Sequence, residues 1–322
     1  MKSNSKMMIA GVCGTAAALA IMSSYTVTKN LVKIALDREA PKRIQKTGRK
    51  IAGSAGDNGF SGALKESAQN LLQKEHEIVD IISYDNQKLI GHWFPCPDAK
   101  RVIIAMHGWR SSFAKDFGMI SEFWFSHNCS VLFAEQRGQN NSGGNYMGFG
   151  MIERYDCLKW IDWVNSRCDS KLPIYLCGVS MGATTVLMTT GLPLPENVHG
   201  VIADCGFTSP YAIWKHVANK NLHISFALKG ILANQLCRRK IQMGASDYST
   251  IEALKSCTVP VMLIHGSDDH FVPLEMSFQN YKACAGPKTL FVVPGAGHAM
   301  SYYFEKEKYE AVLLDFWKKY DA

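Results

Sequence analysis

The chain has 322 residues, of which 47% are hydrophobic and 20% are charged. This balance excludes an intrinsically disordered protein and is typical of a globular chain that buries a sizeable core. The length suits one large domain with an extension, or two small domains.

The net charge of +7 belongs to one segment of the chain. Eight lysines and arginines lie in residues 29–50, opposed only by Asp37 and Glu39. No nucleic-acid motif accompanies them, so nucleic acid is not expected as a partner. A basic segment beside a membrane helix is the simpler explanation.

The ten cysteines show no CxxC spacing of the kind found in zinc sites. Cys177 and Cys205 lie inside apolar runs, where a free cysteine packs as a small hydrophobic residue. The irregular spacing favours free thiols, with disulfides as the alternative.

Residues 7–28 carry no charge and follow Lys2 and Lys6. Twenty-two helical residues span about 33 Å, enough for a bilayer core. We therefore expect residues 1–28 to form a single-pass membrane anchor at the N-terminus. A cleaved signal peptide, with small residues at 18–20, and a buried helix are the alternatives. The sequence leaves open on which side of the membrane the rest of the chain lies.

Residues 29–76 are predicted to connect this anchor to the main domain. The basic stretch 30–50 has the pattern of an amphipathic helix at a membrane surface. Residues 53–62 are rich in glycine and serine, which indicates a linker, and a helix is predicted at 63–77.

The remaining residues, 77–322, alternate between apolar strand patterns and helical patterns. Strands are predicted at 78–83, 89–94, 102–106, 130–134, 173–177, 200–204, 259–264 and 289–293. Helices are predicted at 151–166, from 183 onward and at 305–319. Apolar strands separated by helices indicate an α/β fold with a mostly parallel central sheet and helices on both faces.

A serine between two glycines follows the fifth predicted strand, in Gly178-Val179-Ser180-Met181-Gly182. Glycine at 178 and 182 permits a sharp strand-to-helix turn that exposes the serine hydroxyl at the sheet edge. This is the context of a nucleophile elbow, so Ser180 is the predicted nucleophile.

A serine nucleophile needs a base and a group that orients the base. His298 follows the last predicted strand in a glycine-rich loop, which makes it the predicted base. Asp269 lies in the loop after the preceding strand and is the predicted acid, with Asp268 as the alternative. The chain order Ser, Asp, His is the one expected for this architecture.

Backbone donors for an oxyanion are predicted in the loop His107-Gly108-Trp109, which follows the third strand. Gly108 permits close approach, and the N–H of Trp109 can pair with the N–H of Met181. One such donor is worth roughly 3 kcal/mol of transition-state stabilisation. His107 is expected to brace the loop by hydrogen bonding.

These motifs resemble those of the α/β-hydrolase superfamily over residues 78–320. HGW at 107–109 resembles the oxyanion loop, and GVSMGA at 178–183 resembles the nucleophile elbow. HGSDDHFVP at 265–273 is similar to the acid loop, and that alignment favours Asp269. GAGHAMSY at 295–302 is similar to the histidine loop.

One motif departs from the family pattern. EQRGQNNSGG at 135–144 resembles the aspartate-x-arginine-glycine loop, but Glu135 stands where aspartate is usual. The chain is most similar to bacterial membrane-anchored hydrolases of the serine aminopeptidase and acyl-hydrolase-like branch. The resemblance implies an acyl-enzyme mechanism through Ser180, His298 and Asp269, without a metal or organic cofactor.

The substrate is the least determined feature. Residues 206–250 are rich in apolar side chains and are predicted to form a small helical cap over an acyl pocket, with ordinary helix packing as the alternative. We expect a small-molecule or lipid-like ester as substrate. A peptidase is the alternative within the enzyme class, but no clear acidic cluster for a substrate amine is visible. A non-catalytic binding protein on a hydrolase fold is the alternative outside it.

Overall fold

The computed structural model describes residues 22–39, 60–168 and 171–321. The strands are β1 (Glu77–Ile82), β2 (Lys88–Phe94), β3 (Arg101–Met106), β4 (Cys129–Ala134), β5 (Ile174–Val179), β6 (Val198–Asp204), β7 (Val261–Gly266) and β8 (Lys288–Val293). The N-terminal helices are α1 (22–36), α2 (Phe60–Gln73), α3 (Phe113–Ser126), α4 (Glu153–Arg167) and α5 (Met181–Thr189). The others are α6 (Pro210–His216), α7 (Ala227–Ile241), α8 (Thr250–Leu254), α9 (Glu275–Ala283), α10 (Ser301–Phe304) and α11 (Lys306–Tyr320).

The strands form one sheet in the order β1-β2-β4-β3-β5-β6-β7-β8. The pairs β1–β2 and β2–β4 are antiparallel, and every other neighbouring pair is parallel. Each residue of the apolar runs β3 and β4 is buried, as expected for strands covered on both faces. The prediction of a mostly parallel sheet between helices is confirmed.

A hydrophobic core lies on each face of the sheet. One face packs against α3 and α11, with Phe117, Trp124 and Trp317 almost fully buried. The other face packs against α4 and α5 through Trp160 and Val186 among others. Helix α3 was absent from the predicted elements. Ser112 caps it by accepting a hydrogen bond from the Lys115 N–H, which is a start pattern that the sequence does contain.

The segment between β6 and β7 forms a third apolar cluster above the carboxyl edge of the sheet. It contains α6, a single π-helical turn at Val217–Asn221, and α7. These elements fall within 206–250, the range predicted for the cap. The predicted domain bounds 1–28, 29–76 and 77–322 stay predictions.

The predicted membrane anchor requires a correction. Among the residues that the structure describes, none of the helices has both the length and the apolar composition to cross a bilayer. Residues 22–28 belong to α1, a 22–36 helix whose inner side chains Thr28, Val32 and Leu36 are buried against the cap. A charge-free run is compatible with a helix packed on protein as well as with one in lipid, and local pattern does not separate the two. The predicted residues 1–21 lie outside the described part.

The predicted basic amphipathic helix at 30–50 is also corrected. Residues 30–36 continue α1, and the chain leaves the helix at Asp37, which pairs with Tyr146 in an isolated β-bridge. Residues 40–59 lie outside the described part, and residues 60–62 of the predicted linker belong to α2.

Arg137 connects three parts of the fold from a buried position. Its guanidinium donates two hydrogen bonds of 2.5 Å to Asp156 of α4 and two of 2.8 and 3.0 Å to Asp85 of the β1–β2 turn. The Asp156 side chain is 2% exposed. The Arg137 side chain is 3% exposed as well, so loss of Asp156 leaves a buried guanidinium whose remaining carboxylate partner among the described residues is Asp85, with a side chain 39% exposed.

We predict that Asp156→Ala lowers the free energy of unfolding by roughly 3–5 kcal/mol, the usual cost of breaking a buried pair. Asp162→Ala on the same helix is the matched control. The Asp162 carboxylate is 56% exposed and pairs with Lys159 at 3.5 Å, so its loss should cost less than about 1 kcal/mol. Urea unfolding followed by circular dichroism measures both, and equal costs would contradict the structural role of Asp156.

Candidate active site

Ser180 stands at the turn between β5 and α5. Its backbone has φ 56° and ψ −115°, a conformation that costs a non-glycine residue about 1–3 kcal/mol. A Cβ atom on Gly182 would overlap the carbonyl oxygen of Met106, and one on Gly178 would overlap the backbone of Gly182. The turn therefore requires glycine at both positions that the sequence singled out.

The structure brings Ser180, His298 and Asp269 into one hydrogen-bonded chain. Ser180 Oγ lies 2.9 Å from His298 Nε2, and His298 Nδ1 lies 2.7 Å from Asp269 Oδ2. With Nδ1–H donating to the carboxylate, Nε2 is free to accept the serine proton. This is the arrangement that a general base and its orienting acid require.

The acid loop distinguishes Asp269 from Asp268. Asp269 is 5% exposed, and its Oδ1 accepts hydrogen bonds from the N–H groups of Phe271 at 2.9 Å and Val272 at 2.8 Å. Asp268 points to solvent and accepts a hydrogen bond from the Ser267 hydroxyl. Only Asp269 contacts the imidazole of His298.

The ionised form of Asp269 is strongly favoured. Burial alone would raise the pKa of this carboxyl, but its electrostatic interaction with His298 and the hydrogen bonds from His265 and His298 outweigh burial. The pKa of Asp269 is therefore held well below its usual range, and the group stays a hydrogen-bond acceptor at neutral pH.

A second histidine, His265, lies behind Asp269. Its Nε2–H donates to the carbonyl oxygen of Val272 at 2.8 Å and lies 3.3 Å from Asp269 Oδ2. Its Nδ1 accepts from the Ser277 hydroxyl at 2.6 Å, which fixes the ring orientation. Burial lowers the pKa of His265, but the hydrogen bond to Asp269 and the charge of that carboxylate outweigh burial. The pKa of His265 is therefore raised.

The predicted oxyanion donors belong to residues next to Ser180: Met181 follows it in the chain, and Trp109 lines the same cavity. The backbone N–H groups of Trp109 and Met181 donate no hydrogen bond to any other described residue. A Cβ atom on Gly108 would lie 3.5 Å from Ser180 Cβ, so the loop after β3 packs directly on Ser180. The N-terminus of α5 also places the positive end of its helix dipole beside Ser180.

His107 braces this loop from the protein interior. Its Nε2 accepts from the backbone N–H of Gln136 at 3.1 Å, and its Nδ1–H donates to the carbonyl oxygen of Gly108 at 2.8 Å. Complete burial lowers the pKa of His107, which favours the neutral ring, and its two hydrogen bonds fit the tautomer protonated on Nδ1. His107 contacts the loop backbone and not Ser180 or His298.

Sequence reasoning missed Asp116, in the first turn of α3. Its carboxylate accepts from the N–H of Gly108 at 2.6 Å and from the Ser111 hydroxyl at 2.5 Å. These bonds fix the loop that carries the Trp109 N–H. The Ser112 cap of α3 predicts a helix start here, but nothing local indicates that Asp116 turns back to Gly108.

An apolar cavity of about 230 Å³ opens beside Ser180. Its walls come from the oxyanion loop, from the cap and from α1. The lining side chains include Trp109, Phe149, Phe207, Ile213, Trp214, Ile224, Phe226 and Phe271. The Phe271 ring also packs edge-on against the His298 imidazole, with the two ring centroids 4.9 Å apart. Because Phe271 lines the cavity, this contact places His298 next to it.

The described residues contain one cluster with metal-ligand geometry, Cys205 with Asp269 and His298. Asp269 and His298 already bond to each other through the atoms that would bind an ion. Burial raises the pKa of Cys205 well above its usual value, so the thiol holds its proton. These contacts favour the proton-relay arrangement over a metal site.

Comparison with known protein families gives one match over most of the chain. Residues 116–321 match the prolyl oligopeptidase family. Two bacterial proteins described as uncharacterized are also similar in sequence. YqkD of Bacillus subtilis (strain 168) is 24% identical over 276 residues, or 84% of this chain and 87% of that protein. YfhR of Escherichia coli (strain K12) is 26% identical over 250 residues, or 74% and 80%.

Solved structures share the fold at low sequence identity. The Pyrococcus furiosus esterase Pf2001 superposes with a TM-score of 0.64 at 22% identity, over 79% of this chain and 94% of that one. The Pyrococcus horikoshii acylaminoacyl peptidase superposes with a TM-score of 0.55 at 18% identity, over 78% and 43%. These matches confirm the predicted α/β-hydrolase fold.

We predict that Asp269→Asn lowers kcat by roughly 10⁴-fold, because an amide no longer holds His298 in the tautomer that accepts the serine proton. Asp268→Asn is the matched control and should keep kcat within about twofold, since its side chain is exposed. Hydrolysis of an activated ester such as p-nitrophenyl butyrate measures both variants. A larger loss in Asp268→Asn would assign the acid to the other carboxylate.

Proposed function

This chain belongs to the prolyl oligopeptidase family and is a serine hydrolase, and we propose that it cleaves carboxylic esters with apolar acyl groups. Ser180 is proposed as the nucleophile, His298 as the general base and acid, and Asp269 as the group that orients the imidazole. The N–H groups of Trp109 and Met181 are proposed to bind the oxyanion.

The apolar cavity at Ser180 is the observation that supports an ester substrate. Among the described residues that line it, Lys229 is the only charged one, and it is a cation. A peptidase that binds a free substrate amine needs a carboxylate nearby, and a buried ammonium without one is costly. An uncharged acyl chain loses no such hydration and gains from burial.

The proposed reaction runs in two steps. Ser180 Oγ attacks the ester carbonyl carbon while His298 Nε2 takes the hydroxyl proton, and the C–O bond breaks as His298 returns that proton to the alcohol. Water then attacks the acyl-serine while His298 takes a proton from the water, and the bond from the acyl carbon to Oγ breaks as His298 returns that proton to Ser180 Oγ and the carboxylic acid leaves. The negative charge on the carbonyl oxygen is stabilised in both steps by the two N–H groups.

Family membership favours amide hydrolysis as the second candidate. The described cavity lining lacks the acidic group that an aminopeptidase-like site would use, but an acylated peptide without a free amine presents no charge there. A matched pair of substrates with the same acyl group, p-nitrophenyl octanoate and octanoyl p-nitroanilide, separates the two reactions.

We predict that the full chain hydrolyses the octanoate ester and that Ser180→Ala lowers turnover by at least about 10⁴-fold. Ser246→Ala, an exposed serine of the cap, should retain the activity. Steady-state kinetics on both substrates measures the preference. Faster cleavage of the anilide would favour the peptidase alternative, and full activity of Ser180→Ala would contradict the assigned nucleophile.

A further inference from the structure

Helix α1 forms one wall of the cavity that contains Ser180. Thr28, Leu31, Val32, Ile34 and Ala35 line it from this helix. All of them except Ile34 recur at helical spacing, so one face of α1 points into the cavity and the opposite face points to solvent. The wall therefore comes from the N-terminal extension and not from the hydrolase core or the cap.

The oxyanion loop holds the end of α1 in place. The Arg110 guanidinium donates to the carbonyl oxygens of Ile34 at 2.8 Å, Asp37 at 2.5 Å and Arg38 at 3.1 Å. The Trp109 indole N–H donates to the Ala35 carbonyl oxygen at 2.9 Å. The bonds to Ile34 and Ala35 satisfy carbonyls that a helix leaves unpaired at its C-terminus, and the bonds to Asp37 and Arg38 fix the residues that follow it.

Two further contacts fix α1 from other directions. The Met147 N–H donates to the Leu36 carbonyl oxygen at 2.7 Å. Lys240 of the cap lies 2.6 Å from the Asp37 carboxylate, and both side chains are largely shielded from water. The helix is thus bound by the oxyanion loop, by the loop before α4 and by the cap.

We infer that α1 sets the length of the acyl group that this enzyme accepts, with Val32 as a specificity-determining residue. The inference rests on the proposed function. An apolar cavity of roughly 150 Å³ holds benzene, so a cavity of about 230 Å³ accommodates an acyl chain of medium length. Val32 is 3% exposed and lines the cavity, so a larger side chain there takes up volume that an acyl chain would otherwise fill.

The test uses matched substitutions on the two faces of α1 in the full chain. Val32→Phe narrows the cavity, Val32→Ala widens it, and Val27→Phe is the control because Val27 is 37% exposed and does not line the cavity. The readout is kcat/KM for p-nitrophenyl butyrate, octanoate and decanoate. Labelling rates of Ser180 with ethyl and octyl fluorophosphonates give a second readout that does not depend on ester turnover.

Each methylene of the acyl chain that can no longer be buried lowers kcat/KM about fourfold. We expect Val32→Phe to lower the ratio of kcat/KM for octanoate to kcat/KM for butyrate roughly tenfold or more. Val32→Ala should raise the corresponding ratio of decanoate to octanoate, and Val27→Phe should leave both ratios unchanged. If Val32→Phe fails to fold in a melting experiment, Val32→Ala alone decides.

Unchanged ratios in the Val32 variants would overturn the role of α1 while the ester activity stands. If the full chain labels with fluorophosphonates but cleaves no ester, the proposed ester function fails, and the octyl-to-ethyl labelling ratio still decides the role of α1. Absence of labelling at Ser180 would contradict both.

Discussion

The close contact between the end of β3 and the start of α5 is the constraint on which the site depends. Gly182 presses on the backbone of Met106 and His107, and any side chain there would separate the two elements. Because the oxyanion loop follows β3 and Ser180 follows β5, this contact places the proposed donors beside the proposed nucleophile. The strained backbone of Ser180 is a consequence of the same tight turn.

Two surroundings with different chemistry meet at Ser180. On the polar side, His265 and two backbone N–H groups fix the orientation of the Asp269 carboxylate. Asp116 fixes the oxyanion loop through its hydrogen bond from the Gly108 N–H. On the other side, an apolar cavity accepts the part of the substrate that does not react. Fixed donors beside an apolar cavity stabilise a developing charge more strongly than water does, because they need no reorganisation.

The sheet and the three residues of the proposed relay could be chosen from the sequence, since parallel strands bring their carboxyl ends to one edge. Ser180, Asp269 and His298 each follow an apolar strand run, so topology predicted that they meet. Asp116 and α1 could not be found in this way. The contacts of α1 with Arg110 and the cap join residues more than 70 positions apart. Nothing in the charge-free run before Lys29 indicates these contacts. The same run was therefore assigned to a membrane.

The most direct test of this account is a crystal structure of the full chain after reaction with an octyl fluorophosphonate. The account predicts phosphorus bonded to Ser180 Oγ, the phosphonyl oxygen within hydrogen-bonding distance of the Trp109 and Met181 N–H groups, and the octyl chain against Val32 of α1. An octyl chain that leaves the cavity, or a phosphonyl oxygen directed away from both N–H groups, would contradict it.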